Sequence, residues 1–302
     1  TEKLMSKISI TGAAGFVGTN LQNYLKSSHE IVPMSVRYKP NQEFEVTADV
    51  VIHLAGKAHD LKKVSHPQDY YEANFELTKQ LFDAFLNSEA KVFVFMSTVK
   101  AVADEVKGIL SEDAIPNPKT HYGIAKHQAE QYILSHKLSE GKRVYILRPC
   151  MIHGPGNKGN LNLLYQLVAK GFPWPLGTFE NQRSFLSIEN LCFVIKELLE
   201  NNAIPSGIYQ VADDASLSTN KLIELLGTSL NKKSRIFNIP SSWIKRGAKL
   251  GDYLHLPLNS ERLQKLTENY VVSNHKILTA MEKGLPVSTE QGLIRTFESF
   301  RE

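Results

Sequence analysis

Apolar positions in the first half of the chain fall into two alternating textures. Residues 7–10, 31–34, 49–54, 91–96 and 143–147 are short runs that are apolar almost throughout. Between them, residues 16–26, 70–87 and 122–136 carry apolar side chains three or four apart, as Val17, Leu21 and Leu25 do. The first texture predicts strands buried on both faces and the second predicts amphipathic helices. Their alternation predicts an α/β fold with a parallel sheet covered by helices on both sides. Pro33 inside the second run places that strand at an edge or at its own end. Right-handed crossovers then put ligands beyond the carboxyl ends of the strands.

After Arg148 the texture changes. Pro149, Pro155, Pro173 and Pro175 and five glycines fall between 149 and 177. That stretch predicts a loop, a helix over 161–170 and another loop. Residues 208–211 read as a late strand of the sheet, and 217–302 as helix-rich and polar. The expected division is a doubly wound domain of 5–150 plus about 187–213, and a smaller, helix-rich one of about 151–186 plus 214–302.

Composition narrows the classes. The chain has 302 residues, 42% hydrophobic and 22% charged, which is ordinary for a globular protein and excludes a disordered or fibrous one. No apolar run is long enough to span a membrane. The net charge of +4 comes without a Lys/Arg run longer than two or a basic stripe with interleaved aromatics, so nucleic acid is not expected as a partner. Cys150 and Cys192 form no C-x-x-C pair. They read as reduced thiols of a cytoplasmic protein, and no metal site is expected. Residues 1–7 contain no apolar signal core.

Gly12, Gly15 and Gly18 form a G-x-x-G-x-x-G turn, with Phe16 and Val17 between the last two. It follows a strand and opens a helix, the context in which such a turn binds a dinucleotide. Gly12 permits the tight turn, Gly15 lets backbone approach a pyrophosphate, and Gly18 lets helix and strand pack closely. The helix N-terminus then faces the phosphates. At the end of the second strand, an acidic residue would hold the adenosine ribose of NAD. That position is Ser35 here, with Arg37 two residues on, a pairing that favours the 2′-phosphate of NADP over NAD.

Tyr122 and Lys126 form a Y-x-x-x-K pair, which chance alone supplies about once in a chain of this composition. Its placement matters more than its existence. On a helix the two share a face, and the strand end at Thr98 precedes Tyr122 by 24 residues. A phenol with a pKa near 10 is a poor base at neutral pH. The Lys126 ammonium, and an oxidised nicotinamide if present, would favour the phenolate. Tyr122 could then exchange a proton with a sugar hydroxyl as hydride moves, with Thr98 holding the same oxygen.

With these motifs in order, the chain resembles the nucleotide-sugar epimerase/dehydratase family of extended short-chain dehydrogenases/reductases, which have a Rossmann fold. The carrying segments are TGAAGFVG (11–18), DVVIHLAG (49–56), FMSTVKAV (95–102), YGIAK (122–126), RPCMIHGPGNKGN (148–160) and RSFLSIEN (183–190). The resemblance implies that Leu54, Ala55, Gly56 and Pro149 line the cofactor. It implies that Asn160 and Arg183 meet the substrate diphosphate, and that His59 and Lys100 line the sugar pocket. It implies a nucleotide sugar, with UDP favoured, as substrate, a place in surface-polysaccharide synthesis, and a homodimer through the 70–87 and 122–136 helices. A 4-ketoreductase is slightly favoured over a 4-epimerase. A 4,6-dehydratase is disfavoured because Val99 and Lys100 stand where its acid/base carboxylates would be. A non-catalytic NADP sensor on the same fold is the remaining alternative. Three departures stand out. Only 11 residues separate Arg37 from Asp49, where the family places a further strand and helix. Ala101-Val102-Ala103 replaces the family's V-Y-G. Leu77 replaces a glycine after Asn74, which is therefore read as a plain helix residue.

Overall fold

A computed structural model describes residues 5–58, 66–157, 159–254 and 259–301. The first half forms β1 (Lys7–Thr11), α1 (Phe16–Leu25), β2 (Glu30–Met34), β3 (Val50–His53), α2 (Pro67–Tyr71), α3 (Leu77–Leu86), β4 (Val92–Met96), β5 (Ile109–Leu110), α4 (His121–Leu134) and β6 (Arg143–Pro149). These are the predicted elements with shifted ends, and β5 is a two-residue addition. The helix expected over 70–87 is interrupted by a π-helical turn at Glu72–Glu76 between α2 and α3. The second half adds β7 (Met151–His153), α5 (Asn160–Ala169), β8 (Arg183–Ser187), α6 (Ile188–Glu200), β9 (Gly207–Val211), β10 (Ser216–Leu217) and α7 (Thr219–Ser229). It ends with α8 (Ser241–Leu254), α9 (Ser260–Thr267), β11 (Val271–Val272), α10 (His275–Met281) and α11 (Thr289–Glu298).

Six strands pair in parallel in the order β2-β1-β3-β4-β6-β9, a Rossmann-like sheet. Successive residues of the inner strands alternate between two covered faces. Ile52, Val92, Val94, Tyr145 and Leu147 pack toward α1 and α6 with Leu21, Leu25, Leu191 and Ile195. Val51, Phe93, Phe95, Val144 and Ile146 pack toward α3 and α4 with Phe82, Phe85, Ala129 and Ile133. Burial on both sides is why these strands are apolar throughout, each large side chain contributing about 1.5–3 kcal/mol. Pro33 sits on β2, the sheet's edge, where a missing N–H costs no ladder bond on the outer side. Residues 35–49 form neither strand nor helix, so the sheet stops one strand short of what the resemblance implies.

The chain winds outward from β1 to β2, then crosses to β3 on the other side of β1. That reversal opens a crevice at the carboxyl ends of β1 and β3. A second core of Leu161, Trp174, Phe185, Leu222, Leu226, Leu293 and Phe297 lies under the later helices. Tyr270, Val272, Ile277 and Met281 instead return to the core of the large sheet. The Asp213 carboxylate knots the two regions: it accepts from the Ser187 N–H at 3.0 Å and from Asn190 Nδ2 at 2.7 Å.

A Cβ on Gly18 would lie 2.4 Å from the Gly12 carbonyl oxygen and 2.7 Å from Ala13 Cα. Both are backbone atoms and cannot swing aside. Gly18→Ala is therefore expected to lower the unfolding free energy by about 1–3 kcal/mol through overpacking, although alanine is the better helix former by about 1 kcal/mol. Urea unfolding checks this, and an unchanged midpoint would mean that α1 can shift freely.

Candidate active site

Gly12 adopts φ +66°, and a Cβ there would come within 2.8 Å of the Ala55 amide nitrogen. Only glycine lets the loop after β1 touch the loop after β3. Gly15 differs: its missing Cβ would meet only the Gly12 carbonyl, at 3.2 Å, so its outer side is open. It is the N-cap of α1, which has no side-chain cap and no acidic residue in its first turn. The N–H groups of Phe16, Val17 and Gly18 thus stand at a positive helix end without a carboxylate to satisfy them, which fits a dinucleotide pyrophosphate.

A chain of buried hydrogen bonds fixes the second loop. Thr11 Oγ1 accepts from the amides of Leu54 and Ala55, both at 3.1 Å, so its proton goes to His53 Nδ1 at 2.7 Å. His53 Nε2 then donates to Thr78 Oγ1 at 3.0 Å, which donates to the Asn74 carbonyl at 2.8 Å. The histidine is held neutral: burial, and secondarily the charge of Lys126, push it down to about 3. Asn74 is not the plain helix residue expected. It is fully buried in the π-turn, with Oδ1 accepting from the Lys57 N–H and Nδ2 donating to the carbonyls of Lys57 and Tyr70. A Cβ on Gly56 would lie 2.6 Å from Asn74 Oδ1 and 3.2 Å from Lys126 Nζ, so these three converge.

Thr98, Tyr122 and Lys126 come together at the ends of β4 and α4. Thr120 caps α4 by accepting from the Gly123 N–H at 3.1 Å, which puts Tyr122 in the first turn. The Tyr122 phenol lies close enough to the Thr98 hydroxyl for that hydroxyl to oppose the upward shift that burial imposes. Lys126 Nζ donates to the Met96 carbonyl at 2.8 Å and lies 4.7 Å from the Phe95 ring centroid. Burial governs both groups, and the charge of Lys126 is not among the influences on the phenol. It pushes the phenol up to about 12 against the Thr98 hydroxyl, and the Lys126 amine down to about 7 against the pull of Glu130.

One turn further along α4, Glu130 is buried and forked by Arg148: Nε to Oε1 at 2.9 Å and Nη2 to Oε2 at 2.6 Å. Ser97 also donates to Oε1. Burial would raise this carboxyl, but the bonds from Arg148 and Ser97, with His127 nearby at 3.7 Å, hold it below its usual range. The pair ties α4 to β4 and β6 and so fixes the height of Tyr122 over Thr98.

On the substrate side, Lys100 Nζ donates to the Asp104 carbonyl at 2.8 Å and sits 4.3 Å from the Tyr270 ring centroid. Arg183 donates to the Lys265 carbonyl and faces Glu268 at 3.8 Å. Glu189, at the start of α6, pairs with Arg295. Lys100 and Arg183 are close enough to feel each other's charge. Pro149 ends β6 opposite Val211. Asn160 opens α5. Ser35 and Arg37 are exposed, and Arg37 makes no hydrogen bond or ion pair among the described residues. His59 lies outside the described residues. Cys150 and Cys192 are free and buried, and no cluster of metal ligands occurs among the described residues.

A sequence profile of the NAD dependent epimerase/dehydratase family matches residues 8–212. The chain belongs to this family. It is similar to a UDP-glucose 4-epimerase of Vibrio cholerae, 28% identical over 99% of this chain and 96% of the relative. It is also similar to the N-acetyl-alpha-D-glucosaminyl-diphospho-ditrans,octacis-undecaprenol 4-epimerase of Escherichia coli O157:H7, at 29% over 77% and 75%. A GDP-6-deoxy-D-mannose reductase of Pseudomonas aeruginosa is 25% identical over 79% and 84%. Among solved structures, the UDP-glucuronic acid 4-epimerase of Bacillus cereus in complex with NAD superposes with a TM-score of 0.74 at 21% identity, covering 98% of both chains. RMD from P. aeruginosa, complexed with NADPH, superposes at 0.71 and 21%, covering 98% and 99%. These structures carry the fold, and between them bind either form of the dinucleotide.

As an epimerase/dehydratase family member, the chain keeps its dinucleotide turn and its Tyr–Lys helix on one sheet edge. Sequence reasoning passed over the residues behind them: Thr11, His53, Asn74, Thr78, Glu130 and Arg148. Polar residues within apolar strands and helices were the available signal, as in V-V-I-H and I-L-R-P.

These groups set an acid dependence. His53 titrates near 3 folded and 6.5 free, so the unfolded chain binds the extra proton and stability falls as pH drops through 6.5. Glu130 has a folded value below 4.5, so its contribution is present above 4.5 and lost as pH falls through the folded value. His53→Asn is expected to flatten unfolding free energy against pH between 6.5 and 4.5 and to leave the steeper fall below 4.5. Urea melts at stepped pH would show this, and an unaltered upper slope would mean His53 does not drive it.

Proposed function

We propose that this protein is an NADP-dependent 4-ketoreductase acting on a hexose carried on a diphosphate, with UDP as the favoured carrier. One observation carries the reading: Tyr122, in the first turn of α4, lies beside Thr98 at the carboxyl edge of the sheet, and burial raises its phenol to about 12. A phenol that stays protonated at neutral pH is an acid. Tyr122 donates its proton to the C4 carbonyl oxygen as that oxygen becomes an alkoxide, and Thr98 donates to the same oxygen and aligns it. The nicotinamide supplies the hydride when bound. Lys126, with Asn74 and Gly56 beside it, holds the ribose. Lys100 orients the sugar, and Asn160 and Arg183 meet the diphosphate. In this reading, 5–150 plus about 187–213 hold the dinucleotide and the rest hold the sugar.

The coil over 35–49 also supports a reductase, because it leaves the adenine end without the cover of a further strand and helix. A reductase must exchange its cofactor each turnover, and an open end suits exchange. A second reading, a 4-epimerase, is favoured by the relative matched along 99% of this chain. It would use the same phenol as a base in its first half-reaction, with an oxidised nicotinamide beside it. One relative's sugar is carried on a diphospho-polyprenol, so the diphosphate, more than the base, is the feature common to these substrates.

Tyr122→Phe is expected to lower turnover by about 10²–10⁴-fold and leave dinucleotide affinity unchanged. A rate assay and a cofactor titration on one preparation test it, and turnover near that of the parent would remove Tyr122 from the proton step. Arg37→Ala is expected to weaken NADPH by about 10- to 150-fold and leave NADH untouched, the loss of one charge-assisted bond to a phosphate. If the NADPH/NADH affinity ratio does not move, the preference for NADP falls. NAD retained through purification would point to the epimerase.

A further inference from the structure

Helix α8 buries one narrow face and exposes an apolar one. Ile244, Ala248 and Gly251 turn inward. Trp243 is 70% exposed, Leu250 56%, Leu254 53% and Tyr253 82%. Leu250 and Leu254 follow Trp243 by seven and eleven residues, about two and three helical turns, so the three form one stripe with Gly247 between them. Arg246 and Tyr253 border that stripe, and Lys249 and Lys245 lie further round the solvent face. None of the three cations has an ion pair or hydrogen bond among the described residues. Asp252, the helix's acidic residue, is turned away and holds the Ser260 amide at 2.8 Å and hydroxyl at 2.5 Å. The segment leading into α8 adds Lys232, Lys233, Arg235 and Phe237, all exposed.

We propose that this face docks on an anionic phospholipid surface. Trp243, Leu250 and Leu254 enter the headgroup layer, and Arg246 and Lys249, on the same flank, reach its phosphates. An aromatic and aliphatic stripe beside unpaired cations is the pattern of a helix that lies in an interface. At 14 residues, about 21 Å, α8 lies flat and cannot cross a membrane. A second copy of this chain is a poor occupant, because a two-fold contact would bring the same cations face to face. α8 packs against α9, whose Lys265 carbonyl receives Arg183. A docked surface would therefore lie one helix away from the residue assigned to the diphosphate. The inference itself rests on α8 and holds whichever reaction the site performs.

The chain's two tryptophans make the test direct, since Trp174 is buried and Trp243 is exposed. Vesicles of phosphatidylcholine mixed with phosphatidylglycerol should shift the Trp243 emission to the blue and carry the protein down on sedimentation. Phosphatidylcholine alone should do neither, and added salt should weaken the effect. Replacing Arg246 and Lys249 together by Gln should lower the partition coefficient on the order of 30-fold. Leu250→Asp with Leu254→Asp should abolish partitioning. Circular dichroism melts confirm that both variants are folded. The proposal is overturned by the absence of a shift with anionic vesicles, by equal binding to neutral ones, or by charge variants that bind as the parent does. A blue shift that grows with protein concentration in the absence of vesicles would overturn it too, and would assign the face to a second copy.

Discussion

The hydroxyl of Thr11 holds the dinucleotide crevice together. It sits at the end of β1, accepts the first two amides beyond β3, and passes its proton to His53. With both backbone donors satisfied there, the loops after β1 and β3 can meet at Gly12 without a buried orphan N–H, which would cost about 1–3 kcal/mol. Direction runs one way along this chain, from Thr11 through neutral His53 to Thr78 and the Asn74 carbonyl. Asn74 in turn clamps Lys57. The loop that should line the cofactor is thus positioned by four side chains that face away from it.

Three ionisable residues on one face of α4 show how burial selects chemistry. Tyr122, Lys126 and Glu130 are spaced four apart, the first half-buried and the other two buried. Burial favours the neutral form of each. It prevails for the phenol and largely for the amine, whose partners are a hydroxyl and a carbonyl. It loses for the carboxylate, because Arg148 meets it with two parallel N–H bonds. The charged pair anchors the helix and the neutral pair above it is left to handle protons.

The two arginines assigned to phosphate groups differ in setting. At the sheet edge β2, the chain runs through open coil and Arg37 stands in solvent without a partner among the described residues. Arg183, at the start of β8, already has Lys265 and Glu268 for company. An anion arriving there must outcompete a carbonyl and a carboxylate, whereas one arriving at Arg37 displaces only water.

Much of this was legible in the chain alone. Uninterrupted apolar runs marked the parallel sheet, because a strand covered on both faces has no polar side. The glycine turn was legible because Gly12 and Gly18 occupy places where a Cβ cannot fit, and the Tyr122–Lys126 face because i and i+4 meet on any helix. The short 35–49 stretch announced a missing strand by length. What the chain could not reveal were partners distant along it: Thr11 with His53, Asn74 with Lys57, Glu130 with Arg148. Nor could it reveal the sign of a titration. Lys126 and Tyr122 share a helix face by spacing alone, and only the tertiary structure, by burying both, raises the phenol and lowers the amine.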